Sequence, residues 1–525
     1  MISDSTDKYL KSIRSLSKHE EPTVVSNIHV DYVASKIATL YEKLRQVIDY
    51  QEEHLLRKNT IQRILKRRLL LSSDPEEIAN PLISELIRGG YFLNDKIPET
   101  KIKKIENILA KYIFLMENSP VDFEKNELIE WLKDLAATEI EEKLAPSETD
   151  SVLLEYMAEE LLKRLVFQNI DIDQNKKKEL IFIACQKSLL KADQSLLNWR
   201  LLRFKLPEFT NSPNLDSLVK FSENLLVIKK GVEQSINDPL IKNIQLIAYR
   251  FVPGFLVIKD IISEDLNETN QIFEKPDTLE ARLKFFYEKR YKSIKKKNRT
   301  WGMRWVISIL LSKMFLAFLI EIPYDRFANK FSFVSLGVNL LVPPLLMFLI
   351  ISSIRVPKEK NKKLVCEQIM NIIYPKKELE TIIVKKPLEK KIFKNLVLRI
   401  IFLISSVIVF GGVIYLLLKI NFSWVSITIF LAFFSLIAFS GMRIEASSKQ
   451  LKATNREKEE GILDFIADIF FLPFRNAGKW LSGQLQKYNL IILILNLFFE
   501  APLQIFFEFI ESWRNFIKAK KEELE

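Results

Sequence analysis

The spacing of apolar residues divides this chain into two halves. Up to about residue 300, apolar residues recur every three to four positions among charged ones, which is the period of an amphipathic helix. Later in the chain stand four long apolar runs, Trp305 to Ile322, Phe331 to Ile354, Arg399 to Leu418 and Trp424 to Gly441. Each has about the ~20 residues that a helix needs to cross ~30 Å of hydrocarbon. The pattern predicts an all-α fold with a four-helix transmembrane region made of two hairpins.

The first half of the chain predicts a helical domain over residues 31–300, preceded by a flexible segment over residues 1–30. Ser73 or Asp74 can cap the helix that begins at Pro75, because these residue types favour a helix start. The helices expected in this half are Asp31 to Leu71, Pro75 to Gly89, Thr100 to Met116, Phe123 to Leu144, Thr149 to Phe167, Lys176 to Lys191, Leu215 to Lys230 and Asp277 to Lys297. The last of them continues toward the first apolar run. For the segment Gln245 to Ile262, which contains a Pro-Gly pair, a β-hairpin is the alternative.

The second half divides at its apolar runs and charged connections. The predicted segments are a first transmembrane hairpin over 301–354, a basic loop over 355–394, a second hairpin over 395–441, a polar linker over 442–461 and an amphipathic tail over 462–525. The tail repeats apolar residues at helical spacing, including Phe506, Ile510 and Trp513. It is expected to lie in the membrane interface or to pack on the spans, and a fifth crossing near Tyr488 to Ile510 is an alternative.

Positive charge lies beside the apolar runs on one side only. The 20 or so residues before the first run carry nine Lys or Arg against one Glu, and the 355–394 loop carries twelve Lys or Arg. Such loops stay in the cytoplasm, so both termini are expected there, in a multi-pass membrane protein. Lys295, Lys296 and Lys297 are expected to contact the anionic headgroups of the bilayer. The membrane accounts for the net charge of +12 without a nucleic-acid partner.

Candidate chemistry is scarce in the soluble half. No two of the three histidines, His19, His29 and His54, stand at ligand spacing, and the sequence contains no phosphate-binding glycine loop. The stretch from Asp171 begins like a calcium loop, but Lys176 replaces its glycine, so Asp and Asn caps for the next helix are the better interpretation. We therefore expect no enzyme activity and no cofactor.

Two groups of polar residues remain as candidate sites. Arg63, Lys66 and Arg67 form either a solvated outer face of a helix or a contact with anionic lipid or an acidic partner.

The second group is inside the apolar runs. Folding the first hairpin at its tip brings Lys313 to the depth of Asn339, and Pro343 and Pro344 lack the amide hydrogens that would bond the carbonyls of Asn339 and Leu340. Lys313 is expected either to bind these freed carbonyls or to extend its ammonium to the headgroups.

These patterns favour a membrane-anchored interaction or scaffold protein that binds a protein partner through its N-terminal domain. The alternative is a small transporter or channel that uses Lys313, because ionisable residues inside membranes often mark ion pathways. An enzyme acting on lipids has no motif in its favour. The pattern does not indicate the partner, a solute or the oligomeric state.

The predicted topology is directly testable with reporter fusions. Fusions after Glu20, Lys377 and Glu525 should report a cytoplasmic position, and fusions at Asn329 and Asn421 should report the outside, because the basic connections stay in the cytoplasm. An external signal at Lys377 would contradict the four-crossing arrangement.

Overall fold

Helices form almost all of the chain that the computed structural model describes. The described residues are 2–18, 26–30, 53–119, 125–210, 214–264, 269–328, 332–353, 359–375, 381–386, 392–448, 451, 453, 462–487, 513 and 517. They belong to two compact units, each treated separately below. The helical unit comprises Asp4–Ala248, Glu380–Lys385 and Leu495–Glu525, and the span unit comprises Met1–Ser3, Tyr249–Leu379 and Lys386–Ile494.

The helical unit contains ten α-helices and one pair of short strands among its described residues. The helices are α1 Asp4–Lys18, α2 Glu53–Arg68, α3 Pro75–Arg88, α4 Thr100–Glu117, α5 Lys125–Leu144, α6 Glu148–Arg164, α7 Gln174–Cys185, α8 Gln194–Lys205, α9 Leu215–Ile236 and α10 Pro239–Ala248. A π-helical turn, Gln186–Leu190, extends α7. Strands β1 (Leu165–Phe167) and β2 (Ile382–Val384) pair in parallel, with Val166 opposite Ile383. The loop predicted over 355–394 thus contributes a strand to this unit.

The N-terminal segment differs from the flexible one that we expected. It contains α1, whose Tyr9 ring stacks on Tyr156 of α6 at a centroid distance of 4.8 Å. The Thr6 hydroxyl also lies 2.7 Å from the Tyr156 hydroxyl. Burial raises the pKa of both phenols above their ordinary value, so both stay neutral. Apolar and aromatic residues on one face of α1, including Tyr9, Leu10 and Ile13, are buried.

Two predicted helix starts are confirmed. The Asp74 side chain accepts a hydrogen bond from the Glu76 amide, with Pro75 as the first residue of α3. The Asp173 side chain accepts one from the Lys176 amide at the start of α7, as expected for a cap rather than a calcium ligand. The β-hairpin alternative for 245–262 is wrong, because this segment ends α10 and then forms α11. Pro253 is the second residue of α11, where a missing amide hydrogen costs no helical hydrogen bond.

The span unit begins with helices that lead into the apolar half. Its helices are α11 Val252–Glu264, α12 Thr269–Glu274, α13 Pro276–Leu316, α14 Ile322–Phe327, α15 Phe333–Ser353, α16 Glu359–Ile373, α17 Ile392–Lys419, α18 Trp424–Ser448 and α19 Ile462–Lys487. A π-helical turn, Ala317–Glu321, joins α13 to α14. Among the described residues, three stretches are long and apolar enough to cross a membrane, namely Phe333–Ser352, Arg399–Lys419 and Trp424–Glu445.

Helix α13 is the longest element described. Its 41 residues extend about 60 Å. The first half packs against α11, α12 and α16, and the second half packs against α15 and α18. Helix α16, which lies in the predicted basic loop, is held to α13 by a 2.8 Å hydrogen bond from Asn361 to the Tyr287 hydroxyl. The expectation that the helix from Asp277 continues toward the first apolar run is confirmed by α13.

The amphipathic tail packs against the spans where the structure describes it. Phe470, Phe471 and Phe474 of α19 surround Phe434 of α18, with ring centroids 4.4 to 6.4 Å apart. At Gly478 an added Cβ would overlap the Ser435 carbonyl, so only glycine lets the two helices approach this closely. Because Phe434 and Ser435 lie in the middle of α18, α19 packs on a span instead of forming a separate interfacial layer.

The distal part of the tail is largely outside the described residues. Phe506 and Ile510 are among the residues that are not described. Trp513 exposes 54% of its surface. Their contact with lipid stays a prediction.

Two buried thiols, Cys185 and Cys366, give a test of this packing. Burial raises the pKa of Cys366 to about 11 and raises that of Cys185 as well. Since only the thiolate reacts, alkylation by iodoacetamide at pH 8 should be at least about a hundredfold slower in the folded protein than in denaturant. Mass spectrometry of each cysteine peptide over time measures this ratio. Equal rates in both conditions would contradict the burial of these side chains.

Candidate functional site

The buried polar group in the apolar half is centred on an ion pair between Lys313 and Glu321. The Lys313 Nζ atom lies 2.7 Å from the Glu321 Oε1 atom, and the two side chains are 0% and 2% exposed. The predicted contact of Lys313 with the carbonyls of Asn339 and Leu340 is wrong, because the ammonium binds the Glu321 carboxylate instead. The alternative in which the ammonium reaches the headgroups is also wrong, because this side chain is completely buried.

The π-helical turn explains how these two residues meet. In a continuous α-helix, eight residues correspond to a net rotation of about 80° about the helix axis. Glu321 would then point to a different side of the helix from Lys313. The turn Ala317–Glu321 holds one extra residue, so the effective rotation falls to about 20°. Both side chains therefore lie on the face of the helix that packs against α15.

Asn339 of α15 completes the contact with Glu321. Its Nδ2 atom donates to the second carboxylate oxygen of Glu321, and its side chain is buried. Lys313 and Asn339 thus meet at one level, as the hairpin geometry predicted. The Asn339 Oδ1 atom is buried and has no hydrogen-bond partner in the described part of the chain. Pro343 and Pro344 are buried in the same helix, which stays helical through both.

The polar group continues toward the tips of the two hairpins. Asp325 follows Glu321 by one helical turn and is 7% exposed. The Ser426 hydroxyl of α18 donates to Asp325 at 3.1 Å, and the Ser423 hydroxyl donates to Ser426 at 3.2 Å. Glu321 and Asp325 were not predicted, because Glu321 is at the end of an apolar run and Asp325 follows it, where a polar loop was expected. Their spacing from Lys313, at eight and twelve residues, was the available signal.

Apolar side chains pack on the other side of the ion pair, toward the N-terminal end of α13. Met347 of α15 and Ile437 of α18 are completely buried there. Gly302 and Gly441 allow close approach, since an added Cβ would lie 2.6 Å from Ile351 and 2.5 Å from Ile350. The Lys313 ammonium also lies 5.2 Å from the centre of the Phe433 ring. The site thus has polar neighbours toward the hairpin tips and apolar neighbours in the opposite direction.

The basic residues of α2 have acidic partners within the helical unit. Arg67 pairs with Glu85 at 2.5 Å and Lys66 pairs with Glu130 at 2.5 Å. Arg63 precedes both of them on the same helix. These pairs account for much of the local positive charge, and a contact of this helix with lipid or an acidic partner stays a prediction. Residues 295–297 of α13 are exposed, and their contact with headgroups likewise stays a prediction.

A second buried ion pair, in the helical unit, was not predicted. Lys111 lies 2.7 Å from Glu139 and is enclosed by the rings of Tyr112, Trp199 and Phe209, with Nζ 4.6 to 5.4 Å from their centres. Burial lowers the pKa of Lys111 and raises the pKa of Glu139. The Tyr112 hydroxyl donates to the same carboxylate at 2.8 Å. All these groups satisfy one another, which is typical of a structural core cluster.

Comparison with protein families, with curated proteins and with solved structures finds no match to this chain. Among the described residues, no three His, Cys, Asp or Glu side chains come together as metal ligands. The residues and their geometry are therefore the basis for any assignment of function.

The ion pair predicts a marked asymmetry between single and double substitutions. Glu321→Gln leaves the Lys313 ammonium buried without a counter-ion, which should destabilise the protein by about 3–5 kcal/mol. Lys313→Met combined with Glu321→Gln removes both charges and should recover most of that loss. Thermal unfolding in detergent at neutral pH measures both effects.

The control is the partly exposed pair Arg475–Asp468, 2.9 Å apart on α19. Arg475→Met should cost no more than about 1 kcal/mol, as expected for a solvated pair. A double variant as unstable as the sum of the two single variants would contradict the proposed pairing.

Proposed function

We propose that this chain is a multi-pass membrane protein with four crossings that anchors a cytoplasmic helical unit for binding a protein partner. The observation that carries this proposal is the continuity of α13. One uninterrupted helix packs on soluble-type helices in its first half and on candidate spans in its second half. Such a helix joins α11, α12 and α16 to the candidate spans within one unit.

The fourth crossing is the second half of α13 with the π-helical turn and α14. Three other helices are long and apolar enough to cross a membrane. The additional crossing proposed here contains Lys313 and Glu321. Each of these charges alone would oppose insertion of the helix into the membrane. Paired at 2.7 Å and bonded to Asn339, they lose much of that penalty. An even number of crossings also keeps both termini on one side, in agreement with the basic connections.

Binding of a protein partner is the role that the helical unit supports best. Leu215, Val219 and Val227 are exposed apolar side chains on the outer side of α9, and Val227 is 71% exposed. Exposed apolar residues that recur along one helix mark interaction sites more often than isolated ones do. We therefore propose α9 as the surface that the partner contacts.

Transport across the membrane is a second candidate function. The complete burial of a lysine and a glutamate inside a candidate crossing favours it, because such groups mark ion or proton pathways. The scaffold role predicts that these residues can change without effect on partner binding.

The partner prediction is tested by purification from gently solubilised membranes after cross-linking in intact cells. The double variant Val219→Glu and Val227→Glu should lose a partner that the wild-type protein retains, because charge on an apolar contact opposes its burial. Leu71→Glu is the matched control. Leu71 is 81% exposed just after the end of α2, so the Leu71→Glu protein should still bind the partner.

Substitution of Lys313 separates the two functions. Lys313→Met combined with Glu321→Gln, which leaves neither charge of the pair alone, should retain the same partner if the protein is a scaffold. An unchanged partner set in the α9 double variant would contradict the α9 surface. Solute flux in wild-type vesicles that the folded Lys313 and Glu321 double variant lacks would favour transport.

A further inference from the structure

Lys313, Glu321 and Asp325 form a buried polar stripe along α13, the π-helical turn and α14. The stripe contains two carboxylates and one ammonium. We propose that Glu321, with Asp325 as a neighbouring charge, binds one exchangeable proton, which enters from the side of the hairpin tips. This inference goes beyond the anchoring role and rests on the four crossings proposed above. It assigns the stripe a proton as ligand.

The charge of the stripe is the first argument. Lys313 neutralises Glu321, but Asp325 has only the Ser426 hydroxyl as a hydrogen-bond partner, with no basic partner among the described residues. Helix α15 contains no titratable side chain, and the titratable residues of α18, Arg443 and Glu445, lie at its far end. The stripe thus has a net charge of −1 when all groups are ionised. Two neighbouring buried carboxylates favour the binding of one proton.

The side chain of Asn339 is the second, independent argument. Its amide nitrogen donates to Glu321, while its buried oxygen has no partner in the described part of the chain. An amide that turns by half a rotation presents this oxygen instead of its nitrogen. The oxygen would then accept a hydrogen bond from a protonated Glu321. Asn339 can therefore satisfy both protonation states of the same carboxyl group, which a purely structural contact does not require.

The direction of access follows from the neighbours of the stripe. Ser423, Ser426 and Asp325 form a hydrogen-bonded series on the side of the hairpin tips, and it ends at Asp325, one helical turn from Glu321. In the opposite direction Met347 and Ile437 are completely buried apolar residues. A proton moves along hydroxyl and carboxyl groups and does not move through close-packed methyl groups. The polar side chains on the tip side therefore favour entry of the proton from that side.

The binding step changes one bond and one ion pair. A proton that arrives from the tip side forms an O–H bond with a carboxylate oxygen of Glu321, and no electron transfer takes place. The proton binds the carboxylate oxygen that faces Asn339, and the other oxygen of Glu321 still accepts the hydrogen bond from Lys313. The Lys313 ammonium keeps its own proton. Proton binding thus changes the ion pair into a hydrogen bond to a neutral acid and brings the net charge of the stripe to zero.

The test is a pH titration of the full-length protein in lipid vesicles by infrared difference spectroscopy. Wild type should gain a carboxylic-acid carbonyl band as the pH falls, and Glu321→Gln should lose it. Asp325→Asn should lower the midpoint by at least about one pH unit, because it removes the like charge that favours the proton. Lys313→Met should raise the midpoint, because it removes the cation that favours the carboxylate. Asp468→Asn, an exposed carboxylate on α19, is the control and should change nothing.

Sidedness is measured in vesicles whose hairpin tips face outward. A step in external pH should change the band at once, and a step in internal pH should not. Identical titrations of wild type and Glu321→Gln, with both proteins eluting as folded species, would overturn the proton site. A band that follows the internal pH would overturn the assigned direction. Reporter fusions test the four crossings separately, so failure of the topology is distinguished from failure of the proton site.

Discussion

The contact between the Lys313 ammonium and the Glu321 carboxylate governs the arrangement of the apolar half. Either charge alone in an apolar interior would cost several kcal/mol, so each requires the other within hydrogen-bond distance. That requirement explains the π-helical turn, since a continuous α-helix would turn Glu321 away from Lys313. It also explains why Asn339 and the Phe433 ring face the pair, as both stabilise its charges.

Close helix packing at the soluble end of the spans complements this polar contact. Gly302 and Gly441 allow α13 and α18 to approach the isoleucines of α15, and Met347 fills the space between the three helices. In a lipid environment apolar side chains gain nothing by leaving water, so small residues and polar contacts are what hold helices together. The span unit contains both kinds of contact, at different positions along α13. The long helix then transmits this alignment to α11, α12 and α16.

Much of the helical architecture could be predicted from the sequence, because its causes are local. Apolar runs of membrane length and caps such as Asp74 and Asp173 act within a few residues, and the structure has helices at these places. The parallel pairing of 165–167 with 382–384 depends on residues more than 200 positions apart, which no local pattern reveals. Helix α1 was missed for the same reason, since Tyr156 supplies the partner of Tyr9.

The candidate site was only partly predictable, for a different reason. Lys313 stands out because it interrupts an apolar run, and hairpin geometry correctly places Asn339 at its level. Glu321 and Asp325 do not stand out, because they fall where a span ends and polar residues are ordinary. Only the insertion of one residue in a helical turn brings Glu321 onto the face of Lys313, and hydrophobic periodicity does not report a π-helical turn.

Two of the buried lysines, Lys111 and Lys313, show how a structural ion pair differs from a candidate site. Around Lys111, the Glu139 carboxylate and the Tyr112 hydroxyl form a neutral cluster in which each group has a partner. A change of protonation would therefore add no new contact. Around Lys313, among the described residues, a second carboxylate remains without a cation and an amide oxygen remains without a donor. A folded protein retains such deficits only at a cost in stability, and that cost is compensated when a ligand supplies what is missing. Since one hydrogen added to Glu321 makes the net charge of the cluster zero and gives the amide oxygen a donor, the geometry favours a proton over a larger ion.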